Sequence, residues 1–243
     1  MKNPLPTLLY EDNHILVIVK PPGIATQAGR HSAPDLLELL KRDLAVRHKK
    51  PGEAFLGLVH RLDQPASGLM VFAKTSKAAS RLSESFRQNR VQRSYLAIGR
   101  GLAAEDTGVL EDTLSKNTLD GRVRLVEEGE GSLARLSWQV LARKQTLAET
   151  LFLIELHTGR RHQIRVQMAA HGFPLLGDRR YGLMDKRDSS VPTVALHACH
   201  LAFPHPVKGQ EMVFENGPAI SPAFEAEDSQ IFEAFIIERR KRI

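Results

Sequence analysis

The chain has 243 residues, of which 42% are hydrophobic, and this content supports a sizeable core in one large domain or in two closely packed lobes. Lysine and arginine number 34 against 28 for aspartate and glutamate, and this moderate basic excess permits a polyanionic partner without requiring one. The sequence has no apolar run of the ~18 residues that a membrane helix needs, no signal-peptide core and a single cysteine, so we expect a cytoplasmic protein without an intramolecular disulfide.

Two short strands and a helix are the first predicted elements. Residues 8–19 contain apolar stretches around an Asp-Asn turn, which indicates two strands, and the prolines of Lys20-Pro-Pro-Gly23 end the second because proline cannot donate to a strand ladder. Residues 33–45 have the leucine spacing of an amphipathic helix, with Pro34 in its first turn. The basic stretch 47–52 is most simply a solvated loop.

A polar loop between two apolar runs, His60-Arg-Leu-Asp-Gln-Pro-Ala-Ser-Gly-Leu69, is the most informative stretch of the sequence. Residues 58–59 indicate the end of one buried strand and residues 69–73 the start of another, while a proline and a glycine indicate a tight connection. A carboxylate held between two core strands is rigidly placed, as a catalytic group must be. From spacing alone, however, Asp63 is more often a turn former or a solvated ion pair than a catalytic residue.

The segments after this loop indicate a helix and then a strand. Ser76 is the predicted N-cap of a helix that ends near Asn89. Residues 91–99 follow as a strand, in which Arg93 and Tyr95 share a face because side chains alternate along a strand. A tyrosine on a strand is ordinarily part of the core or of its rim.

The region from residue 100 to residue 157 is rich in predicted strands and turns. Residues 134–142 and 150–156 indicate adjacent antiparallel strands, and residues 119–121 carry a strong turn signal. No catalytic constellation is found there, so this region is expected to act as scaffold.

The second informative stretch is Leu156–Gly172, where a strand ends, a Thr-Gly pair turns the chain and a helix begins. His162 and Arg165 are expected to share a helix face, because they are three residues apart. Arg160 and Arg161 lie at the helix start, where cations oppose the helix dipole and where an anion bound by backbone N–H and guanidinium groups would relieve the repulsion. The residues alone leave this anion site and simple solvation equally open.

The last third of the chain is expected to contain a loop, a strand and a terminal helix. Residues 186–192 indicate a mobile polar loop. In the strand that follows, His197 and Cys199 face the side opposite to His200, so these side chains do not converge and a zinc site is disfavoured. A helix at about 228–242 begins with acidic residues and ends with basic ones, which suits the helix dipole.

The loop from His60 to Leu69 resembles the signature of the RluA-type RNA pseudouridine synthases. In that family the loop has His-Arg-Leu-Asp, two variable residues and Thr-Ser-Gly before an apolar strand, so Ala66 stands where the family has threonine. Three further motifs agree in order along the chain: Tyr-Glu-Asp-Asn with Lys-Pro-Pro-Gly over 10–23, Thr-Gly-Arg-x-His-Gln-Ile-Arg with Gly-x-Pro-Leu-Leu-Gly-Asp-x-x-Tyr-Gly over 158–182, and Ala-Leu-His-Ala with Phe-x-His-Pro over 195–206.

Two more positions depart from the family pattern. Arg161 replaces the threonine of the family's Thr-Gly-Arg-Thr-His motif and adds a positive charge. Arg93 replaces the lysine of a Lys-x-Tyr pattern, which keeps the charge but changes its shape. Tyr95 matches the tyrosine of that pattern.

The resemblance implies a single pseudouridine synthase catalytic domain over residues 1–243, with core motifs at about 8–215. It implies an α+β fold, in which a mixed, mainly antiparallel bent sheet carries helices around a central catalytic cleft, and the interleaved strand and helix patterns favour the same class. Because few residues precede the first motif, we expect that the small N-terminal RNA-binding S4 domain of many relatives is absent. A monomer is expected, since no spare amphipathic helix or heptad is found.

The activity that the resemblance implies is conversion of uridine to pseudouridine in ribosomal or transfer RNA, without a cofactor or a metal. The target base is expected to flip out, because an enzyme cannot reach it inside a stack. Asp63 would be the catalytic nucleophile or base, Arg165 would pair with it, and Tyr95 would lie against the target base. Attack on C1′, attack on C6 and removal of the 2′ proton stay open as roles of Asp63. RNA contacts are expected from His60, Arg61, Arg160, Arg161 and His162.

Two other classes of function are kept as alternatives. The first is a non-catalytic RNA-binding or ribosome-assembly protein with a relic synthase site, and Ala66 in place of threonine is its support. The second is a hydrolase that uses Asp63 with His60, but these residues need not face each other in a turn, and no oxyanion-binding element is evident.

Overall fold

The computed structural model describes residues 6–27, 35–49, 51–116 and 121–241. The strands are β1 (Thr7–Glu11), β2 (Ile15–Lys20), β3 (Gly57–Leu58), β4 (Ser67–Ala73), β5 (Gln92–Arg100), β6 (Thr107–Ser115), β7 (Gly131–Lys144), β8 (Glu149–Leu156), β9 (Leu196–Pro204) and β10 (Glu211–Glu215). The helices are α1 (Leu36–Arg47), α2 (Ser76–Arg87), α3 (Gln163–Ala170), α4 (Lys186–Ser190) and α5 (Ala226–Lys241).

The chain forms two compact units. The first comprises Met1–Val91 with His200–Asn216, and the second comprises Gln92–Cys199 with Gly217–Ile243. Both units combine helices with antiparallel strands, which confirms the α+β class with a mainly antiparallel sheet. Over the described ranges, no helix is both long and apolar enough to cross a membrane.

In the first unit, β2 is paired on both sides by antiparallel strands, β1 and β4, and β3 adds to β4. Every residue of β2 and of β4 is buried, which explains why both strands have continuous apolar sequences instead of alternation. The register pairs Lys20, the last residue of β2, with Gly68 near the start of β4. Gly68 has a φ of 116°, a conformation that favours glycine. The two predicted N-terminal strands are confirmed.

Both helices of this unit begin at residues that differ from the predicted ones. Asp35 caps α1 by accepting from the Glu38 N–H, and the helix continues to Arg47, into the stretch predicted as a basic loop. The predicted position of Pro34 lies outside the described residues. The N-cap of α2 is Thr75 and not Ser76, because Thr75 has extended backbone angles and its hydroxyl accepts from the Ala78 N–H at 3.1 Å.

The second unit contains an antiparallel sheet in the order β5-β8-β7-β6. The predicted pairing of the strands near residues 134–142 and 150–156 is confirmed as β7 and β8, although β7 begins three residues earlier and ends two residues later than predicted. The predicted turn at 119–121 lies mostly outside the described residues. One face of this sheet is buried by a core that includes Phe232 and Ile236 of α5.

The predicted mobile loop at 186–192 is wrong, because residues 186–190 form α4. Asp185 caps this helix by accepting from the Asp188 N–H at 2.8 Å. Arg187 of α4 donates two hydrogen bonds, of 2.8 and 3.1 Å, to the buried carboxylate of Glu149 in β8. These bonds hold α4 against the sheet. The terminal helix predicted at about 228–242 is confirmed as α5, which begins two residues earlier.

Candidate active site

The loop that carries Asp63 is fixed through main-chain atoms on both sides of that residue. The Thr26 hydroxyl donates to the Leu62 carbonyl at 2.7 Å and accepts from the Leu62 N–H at 3.3 Å. On the other side, the Gln64 carbonyl accepts from the Gly23 N–H at 2.8 Å. The loop connecting β3 to β4 is thus held against residues 23–26, and the half-buried Asp63 lies between its two anchored neighbours.

Lys20 is the second component of this anchor. Its side chain is 0% exposed, and Nζ donates to the carbonyls of Pro21 at 2.9 Å, Ile24 at 2.9 Å and Gln64 at 3.2 Å. Burial lowers the pKa of Lys20 to about 7, and the negative charge of Asp63 opposes part of that decrease. From the sequence, this lysine was predicted only to end a strand, although its place in the Lys-Pro-Pro-Gly motif was a signal.

His60 also anchors the loop. Its Nε2 atom accepts a hydrogen bond of 3.0 Å from the Val71 N–H in β4. The ring stacks on Phe86 of α2, with centroids 4.8 Å apart. Arg61 is exposed beside it. The RNA contacts of His60 and Arg61 stay predictions, and His60 has in addition a structural role that was not predicted from the sequence.

In the second unit, Arg165 of α3 is 5% exposed and forms a bidentate ion pair with Asp178, in which Nε and Nη2 each lie 2.7 Å from a carboxylate oxygen. The same carboxylate accepts from the N–H groups of Arg180 and Tyr181. Burial by itself would raise the pKa of Asp178, but Arg165 and these N–H groups hold that pKa below its ordinary value. Asp178 lies in the Gly-Asp-x-x-Tyr-Gly motif but was not predicted as a partner of Arg165, and the pairing of Arg165 with Asp63 stays a prediction.

His162 precedes α3 and does not belong to it. The residue has a left-handed backbone with φ of 53°, and the first helical residue is Gln163, so the prediction that His162 and Arg165 share a helix face is wrong. Tyr181 instead brings the two residues together. Its hydroxyl lies 2.9 Å from His162 Nδ1, and the Arg165 guanidinium lies 5.2 Å from its ring centroid.

The remaining predicted site residues of this unit differ in exposure. Tyr95 lies in β5 opposite Ile154 and is 6% exposed. Arg160 and Arg161 are both exposed at the turn before α3. Arg160 donates from Nε to the Leu133 carbonyl at 2.8 Å, which directs its side chain along β7. In the described parts of the chain, no three histidine, cysteine, aspartate or glutamate side chains come together as metal ligands would.

Comparison with known proteins gives consistent matches along the chain. Residues 14–170 match the family model described as RNA pseudouridylate synthase. The chain is 35% identical over 218 residues to an uncharacterized RNA pseudouridine synthase of Aquifex aeolicus, covering 86% of this chain and 68% of the relative. It is also 35% identical over 217 residues to ribosomal large subunit pseudouridine synthase C of Buchnera aphidicola subsp. Schizaphis graminum, covering 87% and 67%. The structure of human RNA pseudouridylate synthase domain containing 4 is similar, with a TM-score of 0.70, 25% identity and coverage of 86% and 87%.

Proposed function

Because the chain belongs to the RNA pseudouridylate synthase family and is an isomerase of uridine in RNA, we propose that its substrate is ribosomal RNA and that Asp63 is its catalytic residue. The choice of ribosomal over transfer RNA is supported by relatives named as ribosomal large subunit pseudouridine synthases. The observation that carries the role of Asp63 is the anchoring of both Leu62 and Gln64, which holds the intervening carboxylate in a fixed place.

The reaction is an isomerisation, so every atom that leaves one position is accounted for at another. The bond between N1 of uracil and C1′ of the ribose breaks, and a bond between C5 and C1′ forms. C5 loses its hydrogen as a proton, and N1 gains a proton. The Asp63 carboxylate can serve by attacking C1′, by attacking C6 or by removing the 2′ proton, and each of these roles needs an ionised, oriented group.

Tyr95 and Arg165 are proposed as the other catalytic residues. Tyr95 is held in place by β5 and the surrounding core, and its ring would stack on the flipped base and assist removal of the C5 proton. The Arg165 side chain is already oriented by Asp178, and its positive charge would favour an ionised carboxylate in the reaction.

RNA contacts are proposed for His60, Arg61, Arg160, Arg161 and His162. The exposure of the three arginines supports contact with phosphates, which position a nucleic acid without reading its sequence. The enzyme is further proposed to be a cytoplasmic monomer that works without a metal or a cofactor. The reaction has no redox step, and its proton transfers can be carried out by side chains alone.

The experiment that tests the role of Asp63 is release of tritium from RNA labelled at C5 of uridine. Asp63→Asn is compared with the wild type and with Asp43→Asn, a control that removes an exposed carboxylate from α1. We expect Asp63→Asn to lower the rate by at least ~10²-fold, as for loss of a positioned catalytic group, and Asp43→Asn to leave it unchanged. Wild-type turnover by Asp63→Asn would refute the assignment.

The same assay separates the substrate classes and the relic-site alternative. Large-subunit ribosomal RNA and transfer RNA are supplied separately, and release from transfer RNA alone would refute the proposed substrate. The alternative draws on Ala66, which is 1% exposed where the family has threonine. Absence of release from both RNAs, with RNA binding intact, would favour it, and Ala66→Thr would then be measured.

A further inference from the structure

Three segments of the second unit meet beside Gly121. They are the turn at 121–123, the turn before α3 and the turn that follows Asp178. Arg180 donates from Nη1 to the Gly121 carbonyl at 2.5 Å. A methyl group placed on Gly121 would lie 3.3 Å from Arg180 Nη1 and 3.9 Å from Arg161 Nη2. Two guanidinium groups from different segments therefore border one point.

Within the part of the chain that the structure describes, no carboxylate neutralises the charges of these two guanidinium groups. Among the described residues, Asp178 is the carboxylate nearest in sequence to Arg180, and its oxygens are taken up by Arg165 and by two backbone N–H groups. No described carboxylate forms an ion pair with Arg161 or Arg180. Two like charges placed together repel each other, and an anion between them would replace that repulsion by charge-assisted hydrogen bonds.

The positions of both arginines are set by the structure beneath them. The Tyr181 hydroxyl accepts from the Val123 N–H at 2.9 Å and lies 2.9 Å from His162 Nδ1, so it joins all three segments. The backbone of Arg180 is held by the Asp178 carboxylate at 2.9 Å. His162 keeps a left-handed backbone that non-glycine residues seldom adopt, which is typical of a position held for function. The pair of arginines is thus presented on a prearranged platform.

We propose that Arg161 and Arg180 together bind one phosphate of the RNA backbone. This inference rests on the proposed function, because it takes RNA as the ligand, and it deepens that function by assigning a contact that the RluA-type pattern does not contain. The pattern has threonine at the position of Arg161, so the arginine pair is a feature of this chain. A shared phosphate fits the observation that both guanidinium groups border the same point.

The test measures the dissociation constant of a fluorescently labelled large-subunit ribosomal RNA fragment by anisotropy, over a series of salt concentrations. The variants are Arg161→Thr, Arg180→Gln and the double variant. Arg161→Thr restores the family residue at an exposed position that has no hydrogen-bond partners among the described residues. The control is Arg42→Gln, which removes an exposed arginine whose charge is already met by Glu38.

Each single variant is expected to weaken RNA binding about 3- to 10-fold at low salt, and by the same factor for RNAs of different sequence, because a phosphate contact carries no sequence information. Since one phosphate is shared, the double variant should lose less than the product of the two single losses. For the double variant, the plot of the logarithm of the RNA association constant against the logarithm of the salt concentration should be less steep than for the wild type. The magnitude of its slope should be smaller by about 0.7 to 0.9, the value for one phosphate. In tritium release, KM should rise by more than kcat falls.

Three outcomes would overturn the phosphate site: Arg161→Thr binding RNA as tightly as Arg42→Gln, a loss that depends on RNA sequence, or multiplicative losses with twice the change in slope, which would mean separate contacts. These outcomes are distinguishable from failure of the proposed function. RNA binding is measured without turnover, so a wild type that binds RNA but releases no tritium refutes the proposed function and leaves the phosphate site standing.

Discussion

Replacing Lys20 with methionine removes a buried ammonium group. The difference in unfolding free energy between the wild type and Lys20→Met should therefore change with pH. Burial lowers the pKa of Lys20 from 10.5 to about 7 in the folded chain, and the unfolded chain keeps the ordinary value. Below pH 7 both states bind the proton, so the folded state bears the full penalty of a buried charge. Between pH 7 and 10.5 the unfolded state binds more protons than the folded state, so the wild type gains stability as the pH rises.

The size of this gain follows from the two pKa values. Their difference, from 10.5 to about 7, is ~3.5 pH units, and at ~1.4 kcal/mol for each unit it is worth ~5 kcal/mol as an order of magnitude. Methionine has a similar length but no proton to lose, and it leaves the carbonyls of Pro21, Ile24 and Gln64 without the Nζ donor. Those lost hydrogen bonds shift the whole stability curve of the variant but give it no slope between pH 7 and 10.5.

The assay is urea unfolding of both proteins at about pH 6.5, 8 and 9.5, the range over which the linkage acts. We expect the unfolding free energy of the wild type minus that of Lys20→Met to increase steadily over this range. Lys77→Met, which removes an exposed lysine from α2, should instead give a curve parallel to the wild type. A constant difference between the wild type and Lys20→Met would refute the reasoning, because Lys20 would then bind its proton equally in both states.

Two further predictions concern the hydrogen bonds around the site. Thr26→Val removes the hydroxyl that binds Leu62. We expect the unfolding free energy in urea to fall by ~1–2 kcal/mol and kcat in single-turnover tritium release to fall roughly tenfold. A loss of stability with unchanged kcat would contradict the positioning of Asp63. Asp178→Asn removes the carboxylate that forms a bidentate ion pair with the buried Arg165, and we expect a loss of ~3–5 kcal/mol at neutral pH. Because the pKa of Asp178 is lowered on folding, this advantage of the wild type should disappear as the pH falls below ~4, and a difference that persisted in strong acid would contradict the pairing.

The elements that could be predicted from sequence are those whose signal is local. The apolar runs of β2 and β4 and the breaks at Lys20-Pro-Pro-Gly23 define strands without reference to the rest of the chain. The cap of α2 was misplaced by one residue because Thr75 and Ser76 are both good capping residues, and only the extended backbone of Thr75 decides between them. The polar sequence of α4 gave no helix signal, and its helix is fixed by Asp185 and Glu149.

The parts of the site that escaped prediction depend on contacts between distant residues. The buried Lys20 donates to the carbonyls of Pro21 and Ile24 and also to that of Gln64, and no periodicity in the sequence indicates a main-chain acceptor as far along the chain as Gln64. Asp178 is a partner of Arg165 because a turn folds back on α3. The resemblance identified the motif that contains Asp178, but a motif gives residue types and not the bonds between them.

The loop around Asp63 is held by main-chain atoms of its neighbours and by the side chains of Thr26 and Lys20, and Asp63→Asn leaves all of these anchors in place. If Asp63 has the proposed catalytic role, this variant would lose turnover and keep the surface proposed to bind RNA. Asp63→Asn is therefore suited to serve as bait. Crosslinked to RNA in cells and purified, it would retain its substrate instead of releasing a product, and sequencing of the retained fragments would identify the modified uridine.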